Sequence, residues 1–424
     1  MNKTQTVRST RQNADLTFKL NRHHGRHGWL RLTPAYSVKL VSEILAASDR
    51  GIRVLDPFSG TATTPLCAAY AGDTGTGVEI NPFLTWLGNA KLATYHPACV
   101  RAAGEALHNL ISQASRGNTR SITPPPMHNL QRWWDPEPLA FLSKFKAALD
   151  HPSLKEGATR DLLLVVFCRL VIKLSNAAFN HQSMSFKDKV KVESSKKRQP
   201  VLFDLGPDLA YTARVEGQEV LDSAADNPTG VGSVISGDSR SVSGVVSGEY
   251  DLLITSPPYP NRISYIRELR PYMYWLGYLS NGRDAGEMDW AAIGGTWGIA
   301  TSRLAEWQRS PEGFYPSYLD AILSRIRKAD KKSGLLLSNY VAKYFEDMWC
   351  HIRDVVKVMA AGARVHYIVG NSVFYDALIP VERIFADMLS EAGFGDPRIT
   401  RIRKRNSKKE LYEFDVCATK CISS

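Results

Sequence analysis

Four short runs of this chain carry polar groups in an order that suits ligand chemistry. They are Asp56-Pro57-Phe58-Ser59-Gly60-Thr61, Glu79-Ile80, Asp238-Ser239 and Ser256-Pro257-Pro258-Tyr259. Each follows a short run read as a strand, at residues 52–55, 75–78, 232–235 and 251–254. Ligands of open parallel sheets bind at the carboxyl ends of the strands. Taken singly, each run has a bland explanation, because a small residue there marks a tight turn and an acidic one caps a helix. Taken together they describe a nucleoside site. Gly60 lets the backbone pass close to a ligand, and the helix start behind it offers free N–H groups. Glu79 can accept both hydroxyls of a ribose. Asp238 can accept from an adenine amine. The set lacks Gly-Lys-Ser/Thr and the full Gly-x-Gly-x-x-Gly pattern, so an adenosyl nucleoside suits it better than a nucleoside triphosphate or a dinucleotide.

Ser256-Pro257-Pro258-Tyr259 suits chemistry on an exocyclic base amine. Such an amine is a weak nucleophile because its lone pair is conjugated with the ring. Two hydrogen-bond acceptors aimed at its protons favour a tetrahedral nitrogen with an available pair. The Ser256 hydroxyl and the Pro257 carbonyl are such acceptors, and consecutive prolines stiffen the turn. Tyr259 offers a flat face to an extruded base. A Pro-rich turn after a strand would explain the prolines but not the flanking Ser and Tyr.

The elements that must position these groups form an α/β fold. A helix over 63–71 follows the first run and stops at Gly72, and a strand–helix–strand unit of this kind builds a parallel sheet. A helix is expected over 33–47, with Thr33 as its N-cap and Pro34 at its first position. Residues 98–232 read as a mainly helical insertion, with helices near 137–149 and 159–174 and a polar, basic run over 175–198. It divides the fold into an N-terminal part, 1–97, with the cofactor loop, and a C-terminal part, 233–424, with the catalytic motif. Later strands are expected at 334–338, 364–369 and 412–418.

A net charge of +11 is compatible with a polyanionic partner. Asn261 and Arg262 follow the catalytic run directly, where phosphate or base edges should lie. Lys187, Lys189 and Arg198 lie in the insertion, with Asn180, His181, Ser183 and Ser185 just before them. Arg403 and Arg405 fall in a basic stretch, 401–409, read as a turn between late strands. Solvated surface charge is the alternative for each group. His23, His24 and His27 read as part of a basic tail near phosphate or cofactor, with metal ligation the lesser reading. The six cysteines form no Cys-x-x-Cys pair or zinc spacing, so no metal site is expected and the thiols read as reduced. The N-terminus lacks the apolar core of a signal peptide. The greasy stretch 162–174 is interrupted by Arg169 and Lys173 and is too short for a bilayer. A cytoplasmic protein is expected.

The four runs, with Glu79-Ile80-Asn81-Pro82 and Gly237-Asp238-Ser239-Arg240 read in full, resemble the S-adenosylmethionine-dependent amino-methyltransferases of restriction–modification systems. The Ser-Pro-Pro-Tyr form is similar to the N4-cytosine branch, since adenine-N6 enzymes more often carry Asp or Asn in place of Ser256. The stretch from His27-Gly28-Trp29 to Pro34-Ala35-Tyr36 resembles that family's N-terminal cofactor-contacting region. The resemblance covers residues 27–97 and 233–420. It implies a Rossmann-like class I methyltransferase sheet, S-adenosylmethionine as cofactor, duplex DNA as substrate, and a cognate restriction endonuclease acting on the same site. An adenine-N6 DNA enzyme, a base-amine RNA enzyme and a nucleic-acid-binding module that has lost catalysis are the rival readings. Carbon-5 methylation is disfavoured because it needs a nucleophilic cysteine, usually after proline, and there is no Pro-Cys dipeptide. Two departures stand out. Ala62 occupies a place where the family often has a second glycine, and the insertion lies between the Glu79 and Asp238 strands.

Overall fold

Strand polarity decides where the four runs meet. The computed structural model describes residues 6–7, 13–32, 36–178, 185–186, 208–295, 299–405 and 410–422. The chain opens with β1 (Thr6–Val7), α1 (Phe18–Asn21) and α2 (Val38–Ala46). Next come β2 (Arg53–Asp56), α3 (Thr63–Tyr70), β3 (Thr74–Glu79) and α4 (Pro82–Leu92). The insertion supplies α5 (Pro97–Ser115), α6 (Leu130–Trp133), α7 (Pro136–Leu149), α8 (Ala158–Lys173), β4 (Ala177–Ala178), β5 (Ser185–Phe186) and α9 (Leu209–Ala224). The sheet resumes with β6 (Val231–Ser236) and β7 (Tyr250–Thr255), followed by α10 (Tyr265–Trp275), α11 (Gly282–Ala291), α12 (Ile299–Glu306), α13 (Ser317–Ala329) and α14 (Gly334–Val355). Then come β8 (Met359–Gly370), β9 (Ser372–Phe374), β10 (Ala377–Ile379), α15 (Val381–Glu391), β11 (Phe394–Lys404) and β12 (Tyr412–Lys420).

One sheet runs β1-β11-β12-β8-β7-β2-β3-β6. Strands β6, β3, β2, β7 and β8 are parallel, while β12 is antiparallel to both β8 and β11. This is a Rossmann-like class I methyltransferase sheet carrying a helical insertion. The chain winds outward from β2 to β3 on one side and continues through β7 on the other, so the carboxyl ends of β2 and β7 flank a topological switch point. All four runs lie along that edge.

Apolar helices cover both faces. Leu319, Leu323, Ile326, Phe345, Met348 and Phe385 pack one side of the sheet. The insertion helices share a core with Trp29, Phe83 and Tyr272, so they are seated on α4 and α10 rather than hanging free. Arg26 helps to seat them. Its wholly buried guanidinium donates to the carbonyls of Lys91 (2.9 Å), Ala93 (2.6 Å) and Ala224 (2.7 Å), tying the N-terminal segment to the ends of α4 and α9. The greasy stretch is the buried helix α8, with Arg169 and Lys173 paired to Glu216 of α9. Among the described residues no helix is long and apolar enough to cross a membrane.

Three expectations need correction. Residues 334–338 are not a strand but the start of α14, whose buried Leu337, Tyr340, Val341, Tyr344, Phe345 and Met348 recur at helical spacing. The helix expected from Thr33 begins at Val38, with the Ser37 hydroxyl accepting from the N–H of Lys39. Thr33 and Pro34 lie outside the described residues. The basic stretch is not all turn, because Arg401, Arg403 and Lys404 end strand β11.

Candidate active site

A cleft at the carboxyl edge brings together Pro57, Phe58, Ser59, Gly60, Thr61, Glu79, Ile80, Asp238, Ser239, Ser256 and Pro258. The first of these loops is shaped by close approach. A side chain at Gly77 of β3 would put a Cβ 2.3 Å from the Ser59 hydroxyl oxygen, so glycine there lets the loop lie against the strand. Gly60 has φ +50° and Ala62 φ +60°, both left-handed. Glycine adopts that conformation without penalty and alanine does not, which accounts for a glycine preference at position 62. From below, the buried ammonium of Lys91 donates to the Thr61 carbonyl at 3.0 Å, and burial pulls its pKa down to about 7.

Glu79 closes one end of the loop. Its Oε2 accepts from the N–H of Gly60 and its Oε1 from that of Asn81, each at 2.8 Å. Burial pushes its carboxyl up to about 7, against the pull of those two bonds. Each oxygen keeps a lone pair for a further donor.

Asp238 is held differently. Burial works against its charge, but hydrogen bonds from Arg240 outweigh that and hold the carboxyl below its usual range. Arg240 reaches it through Nε at 3.0 Å and Nη2 at 2.6 Å, and is itself steadied by Asp347 (3.2 Å) and the Ala291 carbonyl (2.8 Å). Beside it, burial drops His351 to about 4, so the ring is neutral. Its Nδ1–H donates to the Ser239 carbonyl (2.6 Å), which leaves Nε2 to accept from Tyr367 (2.9 Å). The ring also packs edge-on against Phe58, with centroids 4.7 Å apart.

Asp56 stands beneath the cleft, not on its wall. It accepts from Thr255 (2.6 Å), Tyr36 (3.1 Å) and the Phe58 N–H (3.1 Å), pinning the ends of β2 and β7 together. Burial raises its carboxyl to about 6, against the pull of those bonds.

At the end of β7, the half-buried Ser256 hydroxyl donates to the Ile368 carbonyl at 3.1 Å. Pro257 is buried behind it, and the Pro258 carbonyl accepts from Tyr344 at 2.8 Å. The Tyr259 hydroxyl donates to Glu413 at 2.9 Å and lies 3.4 Å from the Ser256 oxygen. The Tyr259 N–H donates to the Tyr265 hydroxyl at 3.0 Å.

The residues read as nucleic-acid contacts separate. Arg262 is exposed, with φ +59° and its N–H donating to Tyr340 at 3.1 Å. Asn261 turns its amide oxygen into a buried spot with no hydrogen-bond partner. Arg403 faces inward on Glu413 at 2.8 Å, and Arg405 reaches the carbonyls of Tyr412 and Asn371, so neither points at solvent as a turn cation would. Lys187, Lys189 and Arg198 lie outside the described residues, as do Asn180, His181 and Ser183. His23, His24 and His27 line a separate cavity of about 630 Å³ beside Tyr70 and Ala71, at the opposite edge of the sheet, and so do not join the cleft. The six cysteines are free thiols, and among the described residues no cluster of His, Cys, Asp and Glu is arranged to hold a metal.

Leu32, Tyr36, Leu84, Tyr265, Ile266, Leu269, Ala291, Ala292 and Ile293 also line the cleft. Leu32 and Tyr36 fall in the N-terminal stretch that the resemblance marks. The residues from α10 and the end of α11 carry no local signal, because folding alone brings them to this edge.

No family model matches the chain. It is 20% identical to the type II methyltransferase M.BsoBI of Geobacillus stearothermophilus, over 94% of this chain and 85% of that one. With the type II methyltransferase M.AvaI of Nostoc sp. it shares 21% identity over 93% of this chain and 85% of the relative. The chain is similar at family level to the S-adenosylmethionine-dependent DNA methyltransferases of restriction–modification systems. A solved rRNA methyltransferase, aviRa of Streptomyces viridochromogenes, aligns with a TM-score of 0.31 at 11% identity over 97% of this chain and 96% of that one, an overlap too low to bear on fold or activity.

The side chains fit the cofactor that this similarity implies. Two carboxylates, Glu79 and Asp238, stand in a cleft that is also lined by the apolar Phe58, Ile80, Leu84, Ile266 and Leu269. Ser59 keeps a buried hydroxyl without a partner at the same loop. The ribose diol and adenine amine of an adenosyl group would meet acceptors there, and its flat base an apolar surface.

Proposed function

We propose that this chain transfers a methyl group from S-adenosylmethionine to the N4 amine of cytosine in duplex DNA. The general reading, methylation of a nucleic-acid base, draws on the similarity to type II methyltransferases along nearly the whole chain and on the character of the cleft. The N4-cytosine reading is carried by one observation: Ser256 spends its single proton on Ile368, so toward the cleft its oxygen is an acceptor.

Glu79 and Asp238 would hold the ribose hydroxyls and the adenine amine, with Phe58 and Ile80 packed along the nucleoside. The cofactor supplies an electrophilic methyl on sulfur. Ser256 accepts from the target amine and turns the nitrogen lone pair out of conjugation. Tyr259 holds the extruded base by its ring. Serine is neutral and no strong base is needed, because the amine becomes acidic only after it gains the methyl group, and its proton then passes to water. Bringing the two reactants into line supplies much of the rate. A restriction endonuclease reading the same site completes the proposal.

Digestion of DNA from cells expressing the chain, followed by mass spectrometry against base standards, tests the reading. N4-methylcytosine is the expected product. Recovery of N6-methyladenine alone would overturn the cytosine assignment. Faster modification of structured RNA than of duplex DNA would overturn the substrate class.

A further inference from the structure

Behind Tyr259 lies a set of charges that the proposed reaction does not use directly. Glu413 opens β12 and is 5% exposed. Its carboxylate is gripped by Arg403 from the neighbouring strand, through Nε to Oε2 at 2.8 Å and Nη2 to Oε1 at 3.2 Å. The Tyr259 hydroxyl donates to the same Oε1 at 2.9 Å. The Arg405 guanidinium lies over the Tyr259 ring, 5.1 Å from its centroid. That guanidinium is fixed in turn by the Tyr412 carbonyl (3.1 Å) and the Asn371 carbonyl.

We infer that Arg403, Glu413 and Arg405 are positioning residues that lock the Tyr259 ring as a one-sided platform for the target base. The inference rests on the proposed role of Tyr259. A tyrosine has two side-chain torsions, and stacking on it is productive only if the ring is already oriented when the base arrives. Glu413 fixes the hydroxyl end of the ring. Arg405 occupies one face, which leaves the other for the base and screens the carboxylate's charge from it. Arg403 keeps Glu413 aimed, because its two hydrogen bonds fix both carboxylate oxygens of a side chain that is out of water. A plain cross-strand ion pair would not require the third bond to Tyr259 or the guanidinium on its ring.

A double-mutant cycle on the full-length enzyme tests this, with duplex DNA and S-adenosylmethionine. Tyr259→Phe removes the hydroxyl and Glu413→Gln removes the charge that holds it. If Glu413 acts through Tyr259, each single variant lowers kcat roughly tenfold and the double variant falls no further. Calorimetric affinity for the cofactor stays within about twofold throughout. Fully additive losses, or wild-type kcat in Glu413→Gln, would overturn the inference. A second readout needs no turnover. With 3-fluorotyrosine placed at position 259, the fluorine resonance is expected to shift and broaden in Glu413→Gln and in Arg405→Met. An unmoved resonance in both refutes the platform lock even if the methylated base proves to be adenine. A moved resonance in a protein that methylates no nucleic acid leaves the lock standing and removes the proposed function instead.

Discussion

Ser256 and Ile368 are joined by a hydrogen bond of 3.1 Å, from the serine hydroxyl to the backbone carbonyl of the adjacent strand. A hydroxyl has one proton and two acceptor sites. With the proton committed to β8, the oxygen can only accept at the cleft. Ser256→Ala removes that acceptor while leaving both strands paired. Turnover should fall by about tenfold or more, the equivalent of roughly 1.5 kcal/mol for one hydrogen bond. Calorimetry should show cofactor affinity unchanged. Wild-type turnover in this variant would remove Ser256 from the chemistry.

Glu79 makes cofactor affinity depend on pH. Its carboxyl is raised to about 7 by burial, so in the free protein it is largely protonated at pH 6. The ionised form is the better acceptor for two hydroxyls, so binding should weaken by up to about tenfold per unit as pH falls below 7. In the ligand-free protein the sign is opposite. The folded form holds the proton more tightly than the ordinary carboxyl value of 4.5 implies, so this group's contribution to stability declines as pH rises from 4.5 to 7. Glu79→Gln should weaken binding at pH 8 and flatten its pH profile. Titration calorimetry at several pH values decides. A flat wild-type profile with an unaffected Gln variant would contradict the assignment.

His366 and Asp415 form a largely buried pair across β8 and β12, 3.0 Å apart. Burial disfavours the charged ring, but the hydrogen bond it donates to Asp415 prevails and raises His366 to about 10. The folded value lies above the unfolded one, so the stabilisation is fully present below pH 6.5 and is lost as pH rises through 10. Asp415→Asn leaves a buried charge without its partner and should cost about 3 kcal/mol at neutral pH. Thermal melts should show the two proteins converging as pH approaches 10. A pH-independent gap would mean that the cost is packing and not charge.

The legible part of the fold was its parallel half. Strands β2, β3, β6 and β7 are short runs bounded by turn residues, and their polar ends announced the edge at which a ligand would sit. Three consecutive leucines at 335–337 fit a strand or a helix equally well, and only the length of α14 settles the matter. The end of strand β11 was hidden because Arg401 and Arg403 read as part of a basic turn facing phosphate, whereas the fold commits Arg403 to Glu413. Asp56 shows a related limit. Its type and place suited a ligand contact, yet three internal donors use it to pin two strands. His351, Ile266, Leu269 and Ile293 reach the site from distant helices and a following turn, and no local pattern marks such residues.

Arg262 and Arg403 were both read in the sequence as cations that could meet DNA, and the fold separates them. Arg262 is exposed on a loop fixed by its N–H bond to Tyr340. Arg403 is bound to Glu413, with both side chains largely out of water. A cation that neutralises a DNA phosphate releases a counterion, so losing it lowers the magnitude of the slope of log affinity against log salt by about one. Arg262→Gln should show that change and weaken binding to every DNA sequence alike. Arg403→Gln should leave the slope unaltered and act on turnover. Fluorescence anisotropy with one labelled duplex over a range of salt concentrations compares them directly. If Arg403→Gln changed the slope and Arg262→Gln did not, the inward pairing of Arg403 would not describe the protein that meets DNA.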